Sequence, residues 1–156
     1  MAYSDYQLSI TVNGTTYKTW DNWHLVPTSR PLVVPPSIKT NYVDLPGTNG
    51  MLDLTTYLTG APLYNNREGS FEFMVIGSDP STGASYGSWI SRYQTIMNAL
   101  AGKSATLRLA DDPNYYYTGR LWVSNWTSNN DGSGSTITFD YNLEPYKKSN
   151  SGTKML

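Results

Sequence analysis

Residues 8–20 read LSITVNGTTYKTW. Leu8, Ile10 and Val12 alternate with polar residues, the period of a strand with one buried face. Asn13-Gly14 then supplies the two positive φ angles of a type I′ turn, whose twist matches that of the strands it joins. In this two-residue register Ile10 faces Tyr17 and Leu8 faces Thr19. The stretch predicts a β-hairpin.

The same alternation returns further along the chain. In GSFEFMVIG (69–77), Phe71, Phe73 and Val75 share a face. In SATLRLA (104–110), Ala105, Leu107 and Leu109 do so, and in TITFDYNLEPY (136–146) it is Ile137, Phe139, Tyr141 and Leu143. NYYYTGRLWVSNW (114–126) reads as one long strand. Leu121 and Val123 take one of its faces, and parity puts Tyr116, Trp122 and Trp126 on the other. One segment has helical spacing instead: Trp89, Ile90, Tyr93, Ile96, Met97 and Leu100 form an apolar stripe over about 86–101. Ser85 is the expected N-cap, and Gly102-Lys103 fits the end. Prolines 27, 31, 35 and 36 exclude a long central strand between the first hairpin and residue 38, so an extended surface connection is expected there. IKTNYVDL (38–45) resumes as a strand before Pro46-Gly47 turns the chain.

Together these elements predict a mainly β fold, a β-sandwich or small barrel of about seven strands with one flanking α-helix. The 156 residues suit one domain, 1–146, followed by KKSNSGTKML (147–156) as a flexible tail without periodicity. There is no cysteine, which removes disulfides, a thiol nucleophile and thiolate metal sites. The first residues lack the basic start and apolar run of a signal peptide, and no stretch approaches a membrane span. A soluble protein made in the cytoplasm is the expectation. Net charge is −1, which argues against phosphate-driven nucleic-acid binding. Charged residues make up only 15% of the chain against 13% aromatics, a bias towards contact surfaces over chemistry.

The candidates for chemistry read as structure. His24 is the only histidine. No G-x-S-x-G elbow accompanies it for a triad and no second imidazole for a metal, so it is expected to pack in a loop. Asp111-Asp112 stands before Pro113, and adjacent carboxylates at a strand end point apart, unlike the paired acids of a glycosidase. Asp44 and Asp53 could converge only if their loop folds back. DPSTGASYG and NNDGSG are oxygen-rich but lack the EF-hand pattern, and LPGTNG lacks the G-K-[ST] ending of a phosphate loop. No catalytic residue, metal or cofactor is assigned. The Tyr116, Trp122 and Trp126 face could stack a sugar, as in a carbohydrate-binding module, or be buried under the helix or at a subunit contact.

The ordered set ITVNG, WHLVPTSRP, PPSIKTNYVDLPGTNGMLDLT, YNNREGSFEF, IMNALAGK, LADDPNYYYTGRL and DYNLEPYKK resembles the distal tail proteins of siphophages and related prophages, in their N-terminal ring-forming domain. The resemblance covers nearly the whole chain. It implies a tail-tube-like β-sandwich flanked by a helix, assembled as a homo-hexameric ring. Such a ring joins the tail tube to the baseplate or tip, contacts the tail tube, tail-tip hub and tape-measure proteins, and leaves a channel through which DNA only passes. The location implied is the distal end of the virion tail, assembled in the bacterial host cytoplasm, with no membrane and no catalysis. A docking role is implied for Lys39, Asp44, Gly47, Gly50 and Asp53, and for Asn66 and Arg67 of NNRE. Longer members of that family continue past EPYKK into a second domain that can carry receptor-binding proteins. Two other readings stay open: a tail tube protein of the same fold, and a monomeric carbohydrate-binding module.

Overall fold

The Asn13-Gly14 turn builds the first ladder of the computed structural model, which describes residues 3–57, 59–128 and 134–156. Both residues have positive φ, at 51° and 81°. Strands β1 (Leu8–Val12) and β2 (Thr15–Lys18) therefore pair in the expected register, with Ile10 opposite Tyr17. Thr19 closes the ladder, exchanging its N–H with the Leu8 carbonyl and accepting the Leu8 N–H on its hydroxyl. β3 (Leu25–Pro27) follows directly. Two short strands, β4 (Tyr42–Asp44) and β5 (Met51–Asp53), form a separate hairpin. β6 (Arg67–Val75), helix α1 (Trp89–Leu100), β7 (Ser104–Leu109), β8 (Asp112–Thr127) and β9 (Thr136–Leu143) complete the body.

The main sheet runs β2-β1-β7-β8-β9-β6-β3, every neighbouring pair antiparallel. It curls into a half-barrel with one helix, the mainly β architecture expected. Inside the curl, the alternating apolar residues of each strand meet. Leu8, Ile10, Leu107, Leu121, Phe139 and Leu143 are buried there with Ile96 and Leu100 from α1. Each such side chain removes apolar area from water worth about 1.5–3 kcal/mol. The ring pairs Phe71–Tyr141 and Phe73–Phe139 fill the β6–β9 seam. No helix among the described residues is long and apolar enough to cross a membrane.

Four expectations need correction. The helix begins at Trp89, capped by Ser88 and not by Ser85, because Gly87 at φ 102° cannot be helical. Ser85 instead accepts the Gly87 N–H. Ile90 falls off the apolar stripe and is 62% exposed. The strand face assigned to Tyr116, Trp122 and Trp126 does not exist as such. A bulge lies between Val123 and Asn125: Trp122 stands opposite Asp140, while Trp126 stands opposite the buried Ile137. One extra residue in a strand exchanges its faces, so Trp126 points inward and Trp122 outward. Finally, residues 147–156 form a hairpin, β10 (Lys147–Ser149) with β11 (Lys154–Met155), and β10 pairs with the start of β8. Lys147 to Asp112 at 2.6 Å and Lys148 to Glu144 at 3.0 Å hold it, and Gly152 at φ 91° makes the turn. The expected polar turn NNDGSG lies outside the described residues except for Gly134.

Candidate assembly surfaces

The charged segment quoted as a docking loop is an arm. From residue 28 the chain runs along the open edge of β6, where Thr28 donates its N–H to Glu72. The prolines keep this strap extended. Tyr141 and Arg67 pin it at Val34. The Val34 N–H donates to the Tyr141 hydroxyl at 2.9 Å, and its carbonyl accepts from Arg67 Nη1 at 3.2 Å. The strap then rises into the arm through a Lys39 N–H to Leu63 carbonyl bond and the Ile38–Tyr64 bridge. At the tip Leu45-Pro46-Gly47-Thr48 is a turn with Gly47 at φ 80°, the left-handed third position a Pro-Gly type II turn requires.

Both arm strands are exposed on every residue. Tyr42, Leu45, Met51, Leu52 and Leu63 are among its uncovered apolar side chains, and Tyr57 is 76% exposed. Asp44 and Asp53 do not converge. Tyr42 stands opposite Asp53 and Met51 opposite Asp44, and Asp53 is engaged locally, accepting the Thr55 N–H at 2.9 Å. That hydrogen bonding to Thr55 lowers its pKa. Gly50, at φ 73°, leads into β5.

The remaining docking residues divide. Lys39 and Asn66 line an open polar hollow of about 650 Å³ at the arm root, together with Tyr64, Glu68 and Asn142. Asn66 donates to Asn142, which donates to Glu68. Arg67 is not at the surface. It is 5% exposed, donates Nε to the Pro145 carbonyl at 3.0 Å and lies 5.2 Å from the Tyr117 ring centroid. It is a clamp beneath the arm, drawing the strap and the end of β9 together.

The aromatic residues divide too. Trp126 packs under the helix, its ring 4.6 Å from Trp89 and 4.9 Å from Tyr93. Trp122 stays 37% exposed beside Asp140, which accepts from Ser124 at 2.9 Å. Tyr116 lies against Arg108 and opposite Lys148. His24 sits in a left-handed turn at φ 55° and stacks on Tyr86 at 3.8 Å, with Trp20 at its edge. Burial, then the Arg92 charge, lowers its pKa. Asp111 pairs with Arg30 at 2.7 Å and Asp112 with Lys147, so the adjacent carboxylates point to different partners. Asp79 accepts the Ser81 N–H and shapes the DPSTG turn.

Two structural residues escaped the sequence reading. Arg92 interrupts the apolar helix stripe and donates to the Ile76 and Trp23 carbonyls, tying α1 to the β3 corner. A cation at an i+3 position of an apolar stripe was the available signal. Tyr141 was counted as core, and its hydroxyl is also the strap's anchor.

This fold has a solved counterpart. The crystal structure of SPP1 Dit (gp 19.1), described as a paradigm of the hub adsorption apparatus in phages infecting Gram-positive bacteria, superposes with a TM-score of 0.61 and 16% identity, over 91% of this chain and 52% of that one. The fold is similar to that of this phage hub protein. The chain spans about half the length of Dit. No protein-family profile and no curated protein sequence matches it.

Proposed function

We propose that the chain is a structural protein of a phage tail tip, a distal tail protein that forms a hexameric ring between the tail tube and the baseplate. The observation that carries the reading is the likeness to a phage hub protein over 91% of the chain. The surface supports it: a ring needs two different patches on each subunit, related by a rotation. The exposed apolar arm and the outer side of β2, which among the described residues has β1 as its one strand neighbour, are two such patches. The central opening passes DNA without gripping it, in keeping with a net charge of −1. The role is assembly and not catalysis, since the carboxylates of Asp53, Asp111 and Asp112 are engaged in local bonds and ion pairs. Its partners are its own copies and the tail tube, tail-tip hub and tape-measure proteins. Its place is the distal end of the virion tail, after assembly in the host cytoplasm.

Light scattering after size exclusion tests this, with negative-stain images of the same fractions. The expected result is a mass near six times 17.4 kDa and annular particles. Long stacked tubes would replace the adaptor with a tail tube protein. A monomer at every concentration would overturn the ring and turn attention to glycan binding at the exposed Trp122.

A further inference from the structure

We infer that the hollow at the root of the arm is a carbohydrate-binding site, which takes a neutral oligosaccharide by its hydroxyls on Asn66, Glu68 and Asn142. This goes beyond the ring reading and does not rest on it.

The hollow is built on braced backbone. One side of it is the end of the main sheet, where Glu68 of β6 and Asn142 of β9 stand directly opposite each other. The other side is the place where the strap meets the returning arm. There the Lys39 N–H donates to the Leu63 carbonyl at 2.7 Å and the Asn65 N–H to the Ser37 carbonyl at 2.8 Å. The Asn65 amide also donates to the Ser37 hydroxyl at 3.0 Å. Tyr64 is half-buried in this wall, its ring held at right angles to that of Tyr146. Side chains carried on such fixed elements hold a binding geometry that a free loop does not.

The polar groups are ordered in one direction. Asn66 Nδ2 donates to Asn142 Oδ1 at 2.8 Å, and Asn142 Nδ2 donates to Glu68 Oε1 at 3.0 Å. This chain of bonds orients both amides and ends on a carboxylate, which strengthens it. Asn66 Oδ1, Glu68 Oε2 and one N–H of each amide are left without a partner among the described residues. Two acceptors and two donors are thus held ready on residues that line one cavity.

The lining selects the ligand. It sets one carboxylate, Glu68, against one cation, Lys39, a balance that does not recruit a phosphate. Among the described residues no three His, Cys, Asp or Glu side chains come together to hold a metal ion. Val34, Pro35 and the Tyr64 ring are too small an apolar surface for a greasy molecule. Water fills an open hollow of this polarity, and a ligand that displaces ordered water gains affinity only by restoring its hydrogen bonds. A sugar does so. Each hydroxyl donates and accepts, neighbouring hydroxyls match an amide beside a carboxylate, and the C–H face of the ring suits a proline or tyrosine surface. The volume of about 650 Å³ lies within the range of small-molecule sites and admits more than one sugar ring.

The test is calorimetric titration of the full chain with maltotriose, cellotriose and chitotriose, and separately with inorganic phosphate, paired with saturation-transfer NMR on each sugar. Saturable binding of at least one trisaccharide and none of phosphate is expected. Glu68→Gln, which keeps the shape and removes the charge, should weaken that binding about tenfold, the effect of one hydrogen bond to a carboxylate. Asn142→Ala should weaken it at least as much, and Trp122→Ala should leave it unchanged. Melting temperatures within about 2 °C of the parent show that the variants are folded, and Glu68→Gln carries the test should Asn142→Ala fail to fold. No binding of any of the three sugars would overturn the site. So would binding that survives both hollow variants and is lost in Trp122→Ala, or phosphate binding that Lys39→Gln abolishes. The ring reading is judged separately, by the assembled mass of the same samples.

Discussion

Removing one oxygen from Tyr141 tests whether the strap is fastened to the sheet as described. In Tyr141→Phe the ring keeps its place against Phe71, 4.8 Å away, and Gly69, where a Cβ would strike the phenol, keeps its space. The Val34 N–H loses its acceptor in a part-buried position. A net hydrogen bond contributes about 1 kcal/mol, and an orphaned donor costs about 1–3 kcal/mol, so a loss of about 1–2 kcal/mol is expected. For a chain of this size that lowers the melting temperature by roughly 2–8 °C. Tryptophan fluorescence during thermal and urea unfolding measures it, with the midpoint falling and the slope unchanged. Hydrogen exchange supplies the local readout: the Val34 amide, protected in the parent, should exchange faster in the variant. An unchanged midpoint together with a Val34 amide that stays protected would refute the fastening.

The bulge in β8 predicts opposite outcomes for two tryptophans on one strand. Trp126→Ala should cost about 3 kcal/mol by emptying space under α1, whereas Trp122→Ala should cost under about 1 kcal/mol, both read from urea midpoints. His24→Asn should flatten the acid side of the stability profile, since asparagine tolerates the left-handed turn. Burial and Arg92 hold the folded histidine below its ordinary 6.5, so the unfolded chain takes the proton first. Its stabilisation is complete above that value and is lost as pH falls through the lowered one, and a variant profile identical to the parent's would contradict this. Lys39→Glu and Asp53→Lys should each reduce assembled mass in light scattering while leaving the monomer's melting temperature within about 2 °C. Intact rings in both would remove these charges from the assembly contacts.

What the sequence disclosed was local. The first hairpin could be read to the residue because Asn13-Gly14 and the alternation of Leu8, Ile10 and Val12 are adjacent to what they decide. The faces of β6, β7 and β9 were legible for the same reason. The bulge at Ser124 was not, because an extra residue in a ladder is specified by the partner strand and leaves no mark on parity. Ser85 and Ser88 are equally good caps by composition, and Gly87 between them selected the later one. The tail's hairpin depends on Asp112, thirty-five positions before Lys147. The docking set was chosen as one class, yet the fold sends Arg67 inward and leaves Lys39 and Asn66 at the rim of a hollow. Nothing in NNRE distinguishes them, since the strap that buries Arg67 arrives from residue 34 and the hydroxyl that seats the strap from residue 141.

Strand β8 has sixteen residues, from Asp112 to Thr127, and so extends about 50 Å at roughly 3.3 Å per residue. One of its ends is bonded to the β10 hairpin and the other is wedged beneath the helix by Trp126. Such a member behaves as a strut. A load applied at Lys148 is carried towards α1 along a strand braced sideways by β10, β7 and β9 over most of its length, with the bulge at Ser124 as its one soft point on the β9 side. In the ring proposed above, this strand would supply a stiff axis between the terminal hairpin and the helix.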